Sequence, residues 1–313
     1  MVSHSGRQRG HLSITKWQRP FQNVSRVAVA ANTKPQCGGS ACGLPYAGHS
    51  VFDLAYMTFD SLHAPAGPPI ADTEIASLRQ RLQNARHVLV LTGAGASAES
   101  GVPTFRDAQT GYWAQFRPEE MASEAGFLAH PQRVWDWYQY RRDLIGRVMP
   151  NAGHVALAQW QARHPDRMTL VTQNVDGLHQ RAGSRPVLCL HGNLMDNRWL
   201  LPPKACCDAR FTEGDAPPQC PGCGNYLRPG VVWFGEALPQ AELQQAQDAA
   251  KGCDLMLVIG TSGHVYPAAG LAHIAARGGA HVVVINPEPT ELDSVADQCW
   301  RLPSAQILPA LLA

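Results

Sequence analysis

The chain contains no run of the roughly 18 consecutive apolar residues that a bilayer-spanning helix requires, and no basic segment followed by an apolar core opens it as in a secretory leader. Neither a membrane span nor a secretory leader is expected. Excess charge is also lacking: 26 Lys and Arg stand against 25 Asp and Glu, a formal net charge of +1. No global field therefore favours nucleic acid or an anionic membrane as partner. The nine cysteines in 313 residues are too few and too unevenly spaced for a secreted disulfide scaffold. Their tightest cluster, Cys206, Cys207, Cys220 and Cys223, suggests a metal site in a reducing compartment. Acids are missing from the first part of the chain, where Arg7, Arg9, Lys16, Arg19, Arg26 and Lys34 all precede Asp53. Residues 1–70 are expected to carry little structure, and their composition suits either a mitochondrial presequence or an extension ahead of a start at Met57.

What is present begins at Asp72. Ile75, Leu78 and Leu82 recur at helical spacing behind a cap at Asp72 or Thr73, with Glu74 in the first turn. The run from His87 to Thr92 is short, apolar and followed at once by glycines, which predicts a buried parallel strand. Similar runs fall at Met168–Thr172, Val187–Leu190, Asp254–Ile259 and His281–Ile285, separated by helical stretches such as Ala152–Ala162 and Glu242–Ala250. This alternation predicts an α/β fold over residues 71–313, a doubly wound Rossmann-like parallel sheet. Two segments break the pattern, a helical insert at about 107–150 and a Pro- and Cys-rich stretch at about 198–230. They are expected to form a smaller helical and Cys-rich lobe, with a ligand cleft between it and the carboxyl ends of the strands.

Gly93-Ala94-Gly95-Ala96-Ser97-Ala98 follows the first strand as G-x-G-x-x-A, a pattern in which residues without bulk let backbone N–H groups approach a pyrophosphate. The longer run from Gly93 to Arg106 resembles the first signature of the sirtuins, and Thr172-Gln173-Asn174-Val175-Asp176-Gly177-Leu178-His179 resembles their second. His191-Gly192, the segment Val231 to Glu236, Gly260-Thr261-Ser262 and Asn286-Pro287-Glu288 match further sirtuin segments in the expected order. The resemblance covers about residues 72–312 and leaves out the first 70.

The resemblance implies NAD-dependent removal of acyl groups from protein lysines, giving nicotinamide and O-acyl-ADP-ribose. It implies NAD contacts at Gly93, Ala94, Gly95, Ala96, Ser97, Phe105, Arg106, Gln173, Asn174, Asp176, Gly260, Thr261, Ser262, Asn286, Glu288 and Ser304. The amides of Gln173 and Asn174 suit the carboxamide of nicotinamide and the ribose. His191, with an ordinary pKa near 6.5, takes the family's place of catalytic base, with Asn174 beside it in the chemistry. Val232 and Phe234 are expected to pair by backbone with an extended acyl-lysine protein substrate.

Tyr138 and Arg141 stand at i and i+3, on one face of the insert helix. In the class III sirtuins a Tyr-x-x-Arg pair at this location binds the distal carboxylate of succinyl- or malonyl-lysine, and Ala122 resembles the small residue that widens that pocket. Arg142 is expected to face solvent. The resemblance also implies a structural Zn²⁺. Cys220 and Cys223 supply one C-x-x-C pair, and in place of the other stand the adjacent Cys206 and Cys207, of which one is expected to contribute. A deacetylase or ADP-ribosyltransferase using the same NAD site is the alternative within the family, and a non-catalytic NAD sensor the alternative outside catalysis. A cytoplasmic location is expected first and the mitochondrial matrix second.

Overall fold

The computed structural model describes residues 70–103, 114–207 and 216–313. Its larger layer is a parallel sheet of six strands, β1 (Val88–Thr92), β2 (Met168–Thr172), β3 (Val187–Cys189), β6 (Leu255–Ile259), β7 (His281–Ile285) and β8 (Gln298–Trp300). Their order is β3-β2-β1-β6-β7-β8. The remaining strands, β4 (Gly192–Trp199) and β5 (Leu227–Val231), form a separate antiparallel pair.

The central strands read as unbroken apolar runs because both faces are covered. Val88 and Val90 of β1, Leu255, Leu257 and Ile259 of β6, and Val283 and Ile285 of β7 enter one core. There they meet Leu78 and Leu82 of α1 (Asp72–Asn84), Leu157 and Trp160 of α6 (Ala152–Arg163), and Ile307, Leu308 and Leu311 of α10 (Ser304–Leu311). Leu89, Leu91, Met256, Val258, Val282 and Val284 point the other way, onto Ala246 and Ala250 of α8 (Gln240–Gly252) and Leu271, Ala272 and Ala275 of α9 (Gly270–Arg277). The period of two along each strand thus divides the apolar residues between two cores.

The small lobe comprises α3 (Pro118–Met121), α4 (Glu124–Ala129) and α5 (Pro131–Arg147) packed on β4 and β5. Met121, Phe127, Val134, Trp137, Tyr138, Leu194, Val231 and Trp233 make its core. One expectation fails here. Arg142 is buried, donating from Nε to the Leu194 carbonyl at 2.7 Å and from its terminal nitrogen to the Asp196 carbonyl at 2.9 Å and Asn197 Oδ1 at 2.7 Å. Helical periodicity could not reveal this, because the acceptors lie about fifty residues away on β4. Arg142→Met is expected to lower the unfolding free energy by about 2–4 kcal/mol, since it strands buried carbonyls; a shifted urea midpoint at unchanged slope is the reading.

At the start of α1 the cap is Ala71, not Asp72 or Thr73, and Glu74 reaches back to accept the Ala71 N–H at 3.1 Å. Strands β4, β5 and β8 were not expected. The first two lie in or beside the stretch read as lacking a core pattern, and the third has only three residues. No helix among the described residues is long and apolar enough to cross a membrane.

Candidate active site and cysteine cluster

Strand order reverses between β1 and β6, and in such sheets a crevice opens at the carboxyl ends of the two strands that flank the reversal. The loops there are in backbone contact. Gly93 N–H donates to the Ile259 carbonyl at 2.9 Å and Gly95 N–H to the Gly260 carbonyl at 2.8 Å. Gly260 has φ +62°, and a Cβ on it would lie 2.2 Å from Ala96 N; one on Gly93 would lie 2.7 Å from Thr261 Cβ. Any larger residue would push the loops apart, so these glycines are needed by the protein's own packing.

The loop after β2 closes over this turn through a buried polar network. Ser97 Oγ donates to Asp176 Oδ2 at 2.8 Å, and Asp176 Oδ1 accepts the Leu178 N–H at 2.9 Å. Asn174 Nδ2 donates to the Gly93 carbonyl at 2.9 Å and to Ser97 Oγ at 3.1 Å. Both amide hydrogens of Asn174 are thereby engaged, and what it presents to a ligand is its acceptor oxygen.

Two histidines that the sequence reading did not single out complete the network. His154 Nε2 lies 3.3 Å from Ser97 Oγ, and His179 Nε2 lies 2.9 Å from Thr92 Oγ1, with the two rings 4.7 Å apart. Burial pushes His179 down to about 3, with His154 adding to the effect, and burial also lowers His154 against the opposing pull of Asp176. Both rings are therefore neutral hydrogen-bonding parts at neutral pH. Their sequence signals were positional: His154 is the third residue of α6, whose Asn151 side chain caps that helix by accepting from Gly153 and His154, and His179 closes the Thr172–His179 segment.

His191 follows β3 and is half-buried. Its Nδ1 lies 2.9 Å from the Gln173 carbonyl, an acceptor only, so Nδ1 carries the proton and Nε2 is left as a base. Burial lowers its pKa from the ordinary 6.5, partly offset by the Gln173 hydrogen bond. Gln173 Nε2 in turn donates to Thr261 Oγ1 at 3.1 Å, which links the ends of β2 and β6. Asn286 and Glu288 lie outside this set, at the end of β7, where Asn286 Nδ2 donates to the Glu288 carbonyl at 2.7 Å. Ser262 accepts the Glu291 N–H through its carbonyl at 3.1 Å. Ser304 is buried at the start of α10, beside Ala305, whose N–H donates to Glu99 Oε1 at 2.8 Å. Phe105 and Arg106 fall outside the described residues.

The small lobe joins this crevice through backbone. Val232 N–H donates to the His191 carbonyl and Phe234 N–H to the Ala122 carbonyl, both at 2.9 Å, while Leu194 N–H donates to the Val175 carbonyl at 2.8 Å. Strand β5 ends at Val231. The N–H groups of Val232 and Phe234, two residues expected to pair by backbone with a peptide, are thus engaged inside the chain. Ala122 is buried beside Tyr138 and Trp233. Tyr138 is buried and its hydroxyl accepts the Trp233 indole N–H at 2.9 Å. Burial raises its pKa to about 12, so it stays protonated and remains a donor. Arg141 is half-buried, its guanidinium 4.8 Å from the Trp137 ring centre and 5.9 Å from that of Tyr138. Desolvation lowers its pKa, while Tyr138 and Asp176 oppose this.

The Sγ atoms of Cys206, Cys207, Cys220 and Cys223 all lie within 4.8 Å of one another, and those of Cys207 and Cys223 are 3.6 Å apart. Zn–S bonds of about 2.3 Å in a tetrahedron put sulfurs about 3.8 Å apart, so the cluster fits Zn²⁺. Both adjacent cysteines converge, not one of the two. Gly222 makes this possible, since a Cβ there would lie 2.8 Å from Cys206 Cβ. Burial raises the Cys220 thiol, but the Gly222 and Cys223 N–H groups and neighbouring thiols outweigh it and bring it to about 7, towards the thiolate that a metal requires. Cys220→Ser is expected to remove bound zinc and lower the unfolding midpoint by about 5–10 °C, from about 2.7 kcal/mol of linked binding at a metal concentration 100-fold above Kd. Metal analysis alongside a thermal melt checks it.

A dinucleotide-type α/β sheet with a cysteine-bearing lobe set over its switch point is the class that this geometry defines. The sequence model of the Sir2 family matches residues 93–267, and the chain belongs to that family. It is 55% identical over 240 residues to a Ralstonia nicotianae protein named NAD-dependent protein deacylase, across 76% of this chain and 96% of that one. It is 48% identical to the Pseudomonas aeruginosa NAD-dependent protein deacylase 1, across 74% of this chain and 95% of the relative. Among solved structures it resembles a Sir2 homologue in complex with NAD, at TM-score 0.67 and 38% identity, covering 80% of this chain and 95% of that one.

Proposed function

We propose that this chain is an NAD-dependent protein-lysine deacylase that prefers acyl groups ending in a carboxylate, succinyl and malonyl above acetyl. The family and the names of its relatives support the NAD-dependent deacylase reading. They leave the acyl group open. The observation that carries the finer reading is the buried Tyr138 phenol, held protonated at neutral pH, with the half-buried Arg141 guanidinium 5.9 Å from its ring centre, one helical turn on along α5.

The glycine turn at Gly93–Ser97, facing Gly260 and Thr261, suits the cofactor's phosphates and ribose, and NAD when bound would supply an electron-poor ribose carbon with nicotinamide as leaving group. Asn174 offers its acceptor oxygen to a ribose hydroxyl, and Asp176 holds Ser97 and the loop that carries Asn174. His191 takes a proton at Nε2 from a hydroxyl in that space, the Gln173 carbonyl keeping the tautomer that allows it. Arg141 and the Tyr138 hydroxyl receive the acyl carboxylate, whereas an acetyl group would leave the guanidinium without that anion. The four cysteines hold Zn²⁺ in a structural role.

The experiment follows one peptide carrying acetyl-, malonyl- or succinyl-lysine by mass spectrometry, with and without NAD. Preferential loss of the acidic groups supports the reading. Preferential loss of acetyl discards the acyl class and keeps the deacylase, ADP-ribose appearing on protein favours the transferase, and no turnover with any substrate favours a sensor.

A further inference from the structure

Trp233 has no place in the chemistry above, yet among the described residues its indole N–H is what hydrogen-bonds the Tyr138 hydroxyl. Indole Nε1–H is a donor and never an acceptor. A phenol oxygen that accepts it, at 2.9 Å here, cannot return its own proton to the same partner. The hydroxyl proton of Tyr138 must then go to another acceptor.

The indole is itself held from several sides. The Arg228 guanidinium lies 3.9 Å over its ring centre, the Phe127 ring packs at 5.4 Å, and the Trp233 backbone N–H donates to Glu236 Oε2 at 2.8 Å. Glu236 also pairs with Arg228 and with Arg198. Arg228 is buried and lowered by that burial to about 10, so it remains charged and keeps its stacking on the ring. Trp233 is 2% exposed, and rotating it would require breaking this assembly.

We infer that Trp233 is a positioning residue for acyl selection: by filling the acceptor side of the Tyr138 hydroxyl it makes that hydroxyl an obligate donor to an acyl chain ending in an acceptor such as a carboxylate. The inference rests on the acyl reading given above. It separates two roles that sequence proximity would merge, since Trp233 acts through Tyr138 and not on the substrate.

The test is steady-state kinetics with succinyl- and acetyl-lysine forms of one peptide, on wild type, Trp233→Phe, Tyr138→Phe and the double variant. Phenylalanine keeps an aromatic ring beside Phe127 and Arg228 and removes the N–H together with part of the indole's bulk, and the acetyl peptide reports what the lost bulk alone does. The succinyl-to-acetyl ratio of kcat/KM is expected to fall by about tenfold in each single variant, on KM more than kcat, and no further in the double. Independent losses that multiply, or a Trp233→Phe enzyme that keeps the wild-type ratio, overturn the inference and leave the acyl reading standing. A wild type without preference for succinyl removes both. Should Trp233→Phe fail to fold, the assigned Trp233 indole ¹⁵N–H signal of the wild type takes its place. It is expected to move in Tyr138→Phe and on binding the succinyl peptide more than the acetyl peptide, and a signal indifferent to both changes overturns the inference.

Discussion

Replacing His191 by tyrosine is expected to lower kcat by about 10²- to 10⁴-fold, the usual worth of a positioned general base, with the fold and zinc content retained. The expectation follows from one hydrogen bond and one environment. The Gln173 carbonyl fixes the proton on Nδ1, and burial disfavours the imidazolium. The sign of the pH dependence follows too. The base is the neutral ring, and its pKa is lowered from 6.5, so the acid limb of kcat/KM should fall below that pH and the plateau should extend across neutrality. In the tyrosine variant this limb should vanish with the activity. NAD-dependent product formation across pH 5 to 8 provides the measurement, and undiminished nicotinamide release from the variant would remove His191 from its role.

Arg141→Met is expected to cut kcat/KM for a succinyl-lysine peptide by about 100-fold or more while changing that for the acetyl peptide only a few-fold. Losing one partner of a desolvated charge pair costs about 3 kcal/mol, and about 1.4 kcal/mol corresponds to each factor of ten. Methionine retains an unbranched, polarisable chain to lie on the Trp137 and Tyr138 rings, where the guanidinium now rests at 4.8 and 5.9 Å. Packing is thus largely preserved and the charge removed. Equal losses on both peptides would mean that Arg141 supports the lobe and does not read the acyl group.

The strands of the main sheet were legible because each is short, apolar on both faces and closed by glycine or polar residues; Met168–Thr172 and His281–Ile285 match the expected limits. Strand β8 was not, since Gln298-Cys299-Trp300 begins on a polar residue and fully buries only Trp300, leaving no apolar run to read. Strands β4 and β5 escaped because their pairing is long-range, across the cysteine-rich stretch, and because β4 buries only Leu194 while Pro229 and Gly230 interrupt the run of β5. The same distinction runs through the site. Asn174, Asp176 and His191 were identified by motif, but the engagement of Asn174's donors with Gly93 and Ser97 is a matter of folded geometry.

By itself the sequence determined the doubly wound sheet, the glycine turn, the family and the set of side chains from which a site could be built, because periodicity and motif order are local properties of a chain. Tertiary structure decided which of them are engaged and by what. It buried Arg142 against β4 and laid Arg141 over the Trp137 ring, brought adjacent cysteines into one four-sulfur cluster, and set the Trp233 indole against the Tyr138 hydroxyl. These outcomes depend on atoms that lie as much as ninety-five residues apart along the chain, and hydrogen bonds, metal geometry and desolvation act on distance in space, which spacing along a sequence does not encode.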